Sequence, residues 1–223
     1  MSPGEYYPVK LSARLPSGKV ITPQLAEAGR KPRIELPPQP LVGEVVGLAV
    51  TGPKGEQGLI QRFEMQATKG HGRIIPLGSI QRVMRESIEA ATQYIMAHYK
   101  QLGVPLDWKE NLDVAVLATQ MAIPKEGPSA GVTMVTGIIS ALRAIPVRND
   151  VAMTGEITIM GKVLAVGGVQ AKLQAAIDAG VKAVILPDAN RTDVALLPEH
   201  MRGKLDLVYV RDIREVLERA LLS

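Results

Sequence analysis

Apolar positions are scattered without a regular period up to residue 40 and fall into order after it. Residues 41–50 and 59–67 carry the alternating, β-branched character of strands, joined by the turn-rich string Thr51-Gly-Pro-Lys-Gly-Glu-Gln-Gly58. Ile80, Val83, Met84, Ile88, Ala91, Ile95, Tyr99 and Leu102 recur at helical spacing, with Ser79 as a candidate cap and Gly103 as the stop. A strand is expected over 112–120, a loop over 124–131 and an apolar helix to about residue 144. Residues 151–159 and 163–166 read as strands with a turn at Met160-Gly161, and 169–179 as a helix. Strands at 181–186 and 207–210 precede a closing helix at 212–221. Strands and helices mix without strict βαβ alternation, so the expected class is α/β or α+β, a mixed sheet with packed helices.

Composition sharpens this division. Eight of the sixteen prolines lie in residues 1–40, which read as a Pro-rich arm or linker with a short hairpin around Ser17-Gly18; residues 41–223 form the folded domain. The formal net charge is +4, of which +3 sits in that arm, so the body is nearly neutral and argues against nucleic acid as its main partner. Aromatics are only 3% of the chain, which leaves an aliphatic core and few platforms for stacking bases. Cys is absent, which excludes disulfides, thiolate zinc sites and a cysteine nucleophile, and fits a reducing cytoplasm. No apolar run approaches the roughly 18–20 residues that span a bilayer, and the first residues lack a signal-peptide core.

Candidate chemistry narrows quickly. His71, His98 and His200 are isolated and read as structural or surface residues, and no metal-ligand spacing is present. Between Gly155 and Gly161-Lys162-Val163 lie five residues rather than four, with Val in place of Ser or Thr, so no phosphate-cradling loop and no ATP site is expected. Ser129 stands in Gly127-Pro128-Ser129-Ala130-Gly131 at the entry to a helix. Small neighbours there leave room for a substrate backbone, and helix N–H groups near it are placed to stabilise an oxyanion. The same string also reads as a plain Ser cap after a Pro turn. A serine nucleophile needs a base, and a lysine serves only when desolvation lowers its pKa. On a wheel of roughly 100° per residue, Gln170, Gln174 and Asp178 cluster on one face, whereas Lys172 falls among Ala175, Ala176 and Ala179. Lys172 is therefore either a snorkelling surface lysine or a buried base.

At these residues the sequence resembles the proteolytic domain of Lon proteases. Pro124-Lys-Glu-Gly-Pro-Ser129-Ala-Gly131 is similar to the family's nucleophile motif. Met153-Thr-Gly-Glu-Ile-Thr158, Gly161-Lys-Val-Leu-Ala-Val-Gly-Gly168 and Lys172-Leu-Gln-Ala-Ala176 resemble the stretch that carries its base. The 43-residue separation of Ser129 and Lys172 matches as well, and the likeness extends over about residues 41–221. Gly43-Glu-Val-Val-Gly-Leu-Ala49 and Met84-Arg-Glu-Ser-Ile-Glu-Ala90 resemble the opening strand and first helix.

The resemblance implies a serine endopeptidase that cleaves unfolded or damaged proteins, with Ser129 as nucleophile, Lys172 as general base and Thr154 holding the lysine. Glu126, Gly127, Pro128 and Ala130 would belong to the active-site loop. It also implies a hexameric ring and, in most members, an AAA+ ATPase ahead of this domain. No ATPase motif occurs in this chain, so ATP would enter only through such a domain or partner, and no cofactor or metal is expected in the chain itself. Glu126 stands where bacterial members commonly carry Asp, and the strand at 112–121 lacks the His-rich pattern often found there. The alternative function is a non-catalytic Lon-like domain serving ring assembly or DNA binding.

Overall fold

The computed structural model describes residues 35–52, 55–105, 107–119, 127–201 and 203–222, together with the backbone of 13–14 and 20–21. The chain divides into two compact units, Met1–Arg33 and Ile34–Ser223. In the first, β1 (Ala13–Arg14) pairs antiparallel with β2 (Val20–Ile21), flanking the expected hairpin, whose turn residues lie outside the described ones.

The second unit runs through β3 (Leu41–Val42), β4 (Glu44–Thr51), β5 (Gln57–Lys69), β6 (Ile74–Leu77), α1 (Arg82–His98), α2 (Trp108–Asn111) and β7 (Leu112–Ala118). A 3-10 turn at Pro128–Ala130 leads into α3 (Gly131–Arg143). Then follow β8 (Pro146–Val147), β9 (Val151–Met153), β10 (Glu156–Ile157), β11 (Val163–Leu164), α4 (Val169–Ala179), β12 (Ala183–Pro187), α5 (Arg191–Ala195), β13 (Asp206–Val210) and α6 (Ile213–Ala220). Seven strands form one mixed sheet in the order β13-β12-β9-β4-β5-β7-β6. The β13-β12-β9-β4 half is parallel, β5 runs antiparallel to both β4 and β7, and β6 is parallel to β7. This is the mixed sheet with packed helices that the pattern implies.

The pleat sends alternate residues of β4 to opposite cores. Val45 joins Phe63, Met65 and the apolar faces of α1, α3 and α6. Val46 and Leu48 join Ile60 and Val169, Leu173 and Ala176 of α4. The sheet is thus sandwiched between helices, and α3 and α4 approach from opposite faces. Buried Asp113 on β7 accepts from the backbone N–H groups of His71 and Arg73 and from the Arg73 guanidinium, which fixes the turn into β6.

Several elements depart from expectation. Residues 151–159 form not one strand but β9 and β10 in different sheets, broken at Thr154-Gly155. Ser79 does not cap α1: it adopts a left-handed φ of 55°, Ile80 makes a bridge, and Gln81 occupies the N-cap. Strands β3 and β4 are separated by Gly43, whose φ of 74° turns the chain. Strands β6 and β8 and helices α2 and α5 carry too short an apolar pattern to stand out along the chain.

Gly58 on β5 lets α4 settle onto the sheet. A Cβ there would strike the Ala171 carbonyl, one residue before Lys172. Gly58→Ala is therefore expected to lower stability by about 1–3 kcal/mol, as overpacking against rigid backbone does. Urea unfolding measures it, and an unchanged midpoint would show that α4 can shift freely.

Candidate active site

Three separate pieces of backbone converge where β9 leaves the sheet. The first is the turn that opens α3. Gly127 enters it with φ 115°, a conformation that side-chain-bearing residues rarely adopt, and Pro128, half-buried Ser129 and Ala130 complete it. The second is the link between β9 and β10. Its Gly155 N–H donates to the Ser129 carbonyl at 2.9 Å, and the Val132 N–H donates to the Gly155 carbonyl at 3.1 Å. Gly131 packs so closely on Ile157 that a Cβ would meet that residue's nitrogen, which keeps the two segments in register. Thr154 is fixed from the other side by its own N–H, which donates to the Ile185 carbonyl of β12 at 3.0 Å.

The third piece is α4, which begins at left-handed Gly168 and ends at left-handed Gly180. Its Lys172 is only 2% exposed. The Lys172 Nζ donates to Thr154 Oγ1 at 3.1 Å, and Thr154 Oγ1 donates to the Ser129 carbonyl at 3.4 Å. Among the described residues Lys172 makes no ion pair with a carboxylate, and no direct hydrogen bond joins it to the Ser129 hydroxyl. Burial alone therefore sets its acidity and pushes the amine down from 10.5 to about 8. A lysine that reaches the neutral form near pH 8 can accept a proton, which an ordinary lysine at pH 7–8 cannot.

The structure thus brings Ser129, Thr154 and Lys172 together, with Gly127, Pro128 and Ala130 on the same turn. Glu126 lies outside the described residues. No group of three or more His, Asp or Glu side chains able to hold a metal occurs among the described residues. The same holds for helices long and apolar enough to cross a membrane.

Comparison with known proteins places this arrangement. Residues 29–223 match the family model of the Lon protease (S16) C-terminal proteolytic domain. The chain belongs to that family. Lon proteases of Trichlorobacter lovleyi and Geobacter metallireducens are 43% and 44% identical to it over 180 residues, 81% of this chain and 22% of each relative. The Lon protease of Erwinia amylovora is 43% identical over 180 residues, 23% of its length. The chain therefore spans about a fifth of the length of these Lon proteases.

Two further buried polar residues, Gln61 on β5 and Thr133 on α3, escape the motif reading. Gln61 shares the inward parity of Phe63 and Met65, so a polar residue in an apolar alternation was the available signal.

The depressed Lys172 carries a stability consequence with a definite sign. The unfolded chain holds the lysine proton up to 10.5, the folded chain only to about 8. Between those values the unfolded state binds more protons, so stability rises with pH across that window and the burial penalty is full below it. At ~1.4 kcal/mol per unit, the penalty at neutral pH is about 3 kcal/mol. Lys172→Met is expected to be more stable than wild type at pH 7, with the difference narrowing as pH rises through that window. Denaturant unfolding at several pH values measures it, and a pH-independent difference would contradict the assignment.

Proposed function

We propose that this chain is a serine endopeptidase domain that hydrolyses peptide bonds of unfolded or damaged proteins, with Ser129 as nucleophile and Lys172 as general base. The observation that carries this reading is a buried lysine with no carboxylate partner among the described residues, held by Thr154 at the turn that bears a serine. Structural lysines in soluble domains are rarely buried without an anion, because the ammonium loses its hydration and gains nothing in return. A base has a reason to be there.

In this mechanism neutral Lys172 takes the Ser129 proton as the hydroxyl oxygen attacks the scissile carbonyl. Backbone N–H groups of the turn near Ser129 stabilise the developing oxyanion in this reading, since the Gly131 and Val132 N–H groups at the start of α3 are engaged by the Pro128 and Gly155 carbonyls. The tetrahedral intermediate collapses, Lys172 returns the proton to the leaving amine, and the acyl group stays on Ser129. Lys172 then deprotonates a water, which hydrolyses the ester and regenerates the enzyme. Thr154 accepts from Nζ and donates to the Ser129 carbonyl, so it fixes the base relative to the turn of the nucleophile. The direct Ser129–Lys172 hydrogen bond belongs to the substrate complex, where catalytic bonds commonly tighten. No step needs a metal or nucleotide at the site. The domain acts in this reading within a homo-oligomeric ring, hexameric as the resemblance implies. It receives unfolded chains from an AAA+ ATPase domain or partner.

The test is cleavage of an unfolded, fluorescently labelled protein without ATP by wild type, Ser129→Ala and Lys172→Ala, with oligomer mass recorded on each sample. Wild type is expected to cleave and both variants to lose activity by at least about a thousandfold, as loss of a nucleophile or its base does. The wild-type rate should rise with pH to half-maximum near 8 and then level off. A well-assembled wild type that does not cleave, or a Lys172→Ala variant that does, would overturn the reading and turn attention to assembly or DNA binding.

A further inference from the structure

Helix α4, which carries Lys172, starts without a side-chain cap. Its N-cap is Gly168, in the left-handed region at φ 67°. Packing holds it to the sheet: Val169, Leu173 and Ala176 join Val46, Leu48 and Ile60, and a Cβ on Gly168 would meet Val50. Apolar contacts of this kind resist lifting the helix off the sheet, but they are non-directional and discriminate weakly between positions along its axis. The axial position matters at Lys172. A slide by one residue's rise, about 1.5 Å, would take the 3.1 Å bond between Lys172 Nζ and Thr154 Oγ1 out of range.

A directional restraint comes from Asn190, in the 3-10 turn Asp188–Asn190 that follows β12. Asn190 is 2% exposed. It stands at the N-cap of α5, where an asparagine ordinarily bonds the first turn of its own helix, yet its side chain makes no such cap. The amide reaches instead to Val166, 24 residues back along the chain. Its Oδ1 accepts from the Val166 N–H at 3.0 Å, its Nδ2 donates to the Val166 carbonyl at 2.9 Å, and Nδ2 also donates to Asp193 Oδ2 at 2.7 Å. The two backbone groups fix the orientation of the amide, since an N–H only donates and a carbonyl only accepts. The turn that bears Asn190 is anchored in its own right. Asp188 pairs with Arg191 and Arg211, and the Arg191 guanidinium lies 3.8 Å over the ring of Tyr209 on β13.

Only Gly167 separates Val166 from the N-cap of α4, and the Lys172 N–H closes the first turn on the Gly168 carbonyl at 3.0 Å. We propose that Asn190 is a positioning residue for Lys172: its amide pins Val166, and with it the point along the sheet from which α4 starts. Strand β12 then fixes both ends of the Lys172–Thr154 hydrogen bond. It holds Thr154 through the Ile185 carbonyl, and Lys172 through the turn that extends the strand. The kinetic consequence rests on the reading of Lys172 as general base, but the control of the amine's surroundings by Asn190 does not.

Two uncharged variants test it. Asn190→Leu removes the amide at similar size. Asn190→Ser draws the side chain back from Val166 while leaving α5 a favoured cap residue, which protects folding. Asp113→Asn is the control, because it weakens the anchor of the turn into β6 at the far side of the sheet. Each protein is read by denaturant midpoint, by titration of Lys172 through carbon NMR of its ε-methylene, and by kcat and KM on an unfolded protein substrate. No carboxylate among the described residues pairs with the amine, so its titration reports the access of water. From a wild-type value of about 8, both Asn190 variants are expected to titrate at about 9. Their kcat should fall roughly tenfold with KM changed less than about twofold, as misplacement of a reacting group does. Asp113→Asn should lose stability while the Lys172 titration and kcat stay as in wild type. Asn190 variants that titrate and turn over like wild type would overturn the proposal, as would an Asp113→Asn protein whose Lys172 titration rises as far. A wild type that titrates at the ordinary 10.5 would overturn the buried-base reading, and the proposal with it. Should wild type titrate near 8 without cleaving, the NMR titration decides alone: a rise in the Asn190 variants upholds the clamp while the catalytic reading fails, and an unchanged value refutes it.

Discussion

An amine buried away from water, with no carboxylate partner among the described residues, is the constraint on which this domain turns. Lys172 sits 2% exposed on α4 with Thr154 Oγ1 as its hydrogen-bond partner. In a charged state it would hold a proton at a net disadvantage, and the fold accepts that disadvantage at neutral pH. The rest of the site can be understood as the means of keeping the amine dry and aimed. Small side chains on α4 and the bare face of Gly58 bring the helix onto the sheet. The break after β9 turns Thr154 toward the lysine, while the Gly155 and Val132 hydrogen bonds tie that break to the turn of Ser129.

The sheet matters to function because it lets helices from opposite faces contribute to one point. α3 packs on the face of Val45 and Phe63, and α4 on the face of Val46 and Leu48. They can meet only beyond the strand ends, where β9 stops and backbone is free to bend. This arrangement separates Ser129 and Lys172 along the chain while holding them to one rigid scaffold. It also explains why glycines recur at the contacts. Gly58, Gly131 and Gly155 each stand where another element approaches too closely for a side chain.

The parts of this picture that were legible along the chain are those set by local periodicity. The helix at 169–179 was expected with the bounds that α4 has, because Gly168 and Gly180 mark its ends and its polar face is compact. That same wheel singled out Lys172 without reference to any other protein. Thr154 was different. It lies in a stretch whose alternation reads as one continuous strand, and the break there arises from pairing with α3 and β12, which no local pattern encodes. Only the resemblance to the Lon proteolytic domain drew attention to it. The same physics hid β6, a four-residue edge strand with a proline, and misplaced the start of α1 at Ser79.

The most direct test of the account is the titration of Lys172 itself, followed by carbon NMR of its labelled ε-methylene in the Ser129→Ala protein, with Lys172→Arg used to assign the signal. A midpoint near 8 is predicted, well below the ordinary 10.5 and independent of any catalytic turnover. A midpoint at the ordinary value would show that the amine is solvated and charged in the folded protein, and would contradict the buried-base account.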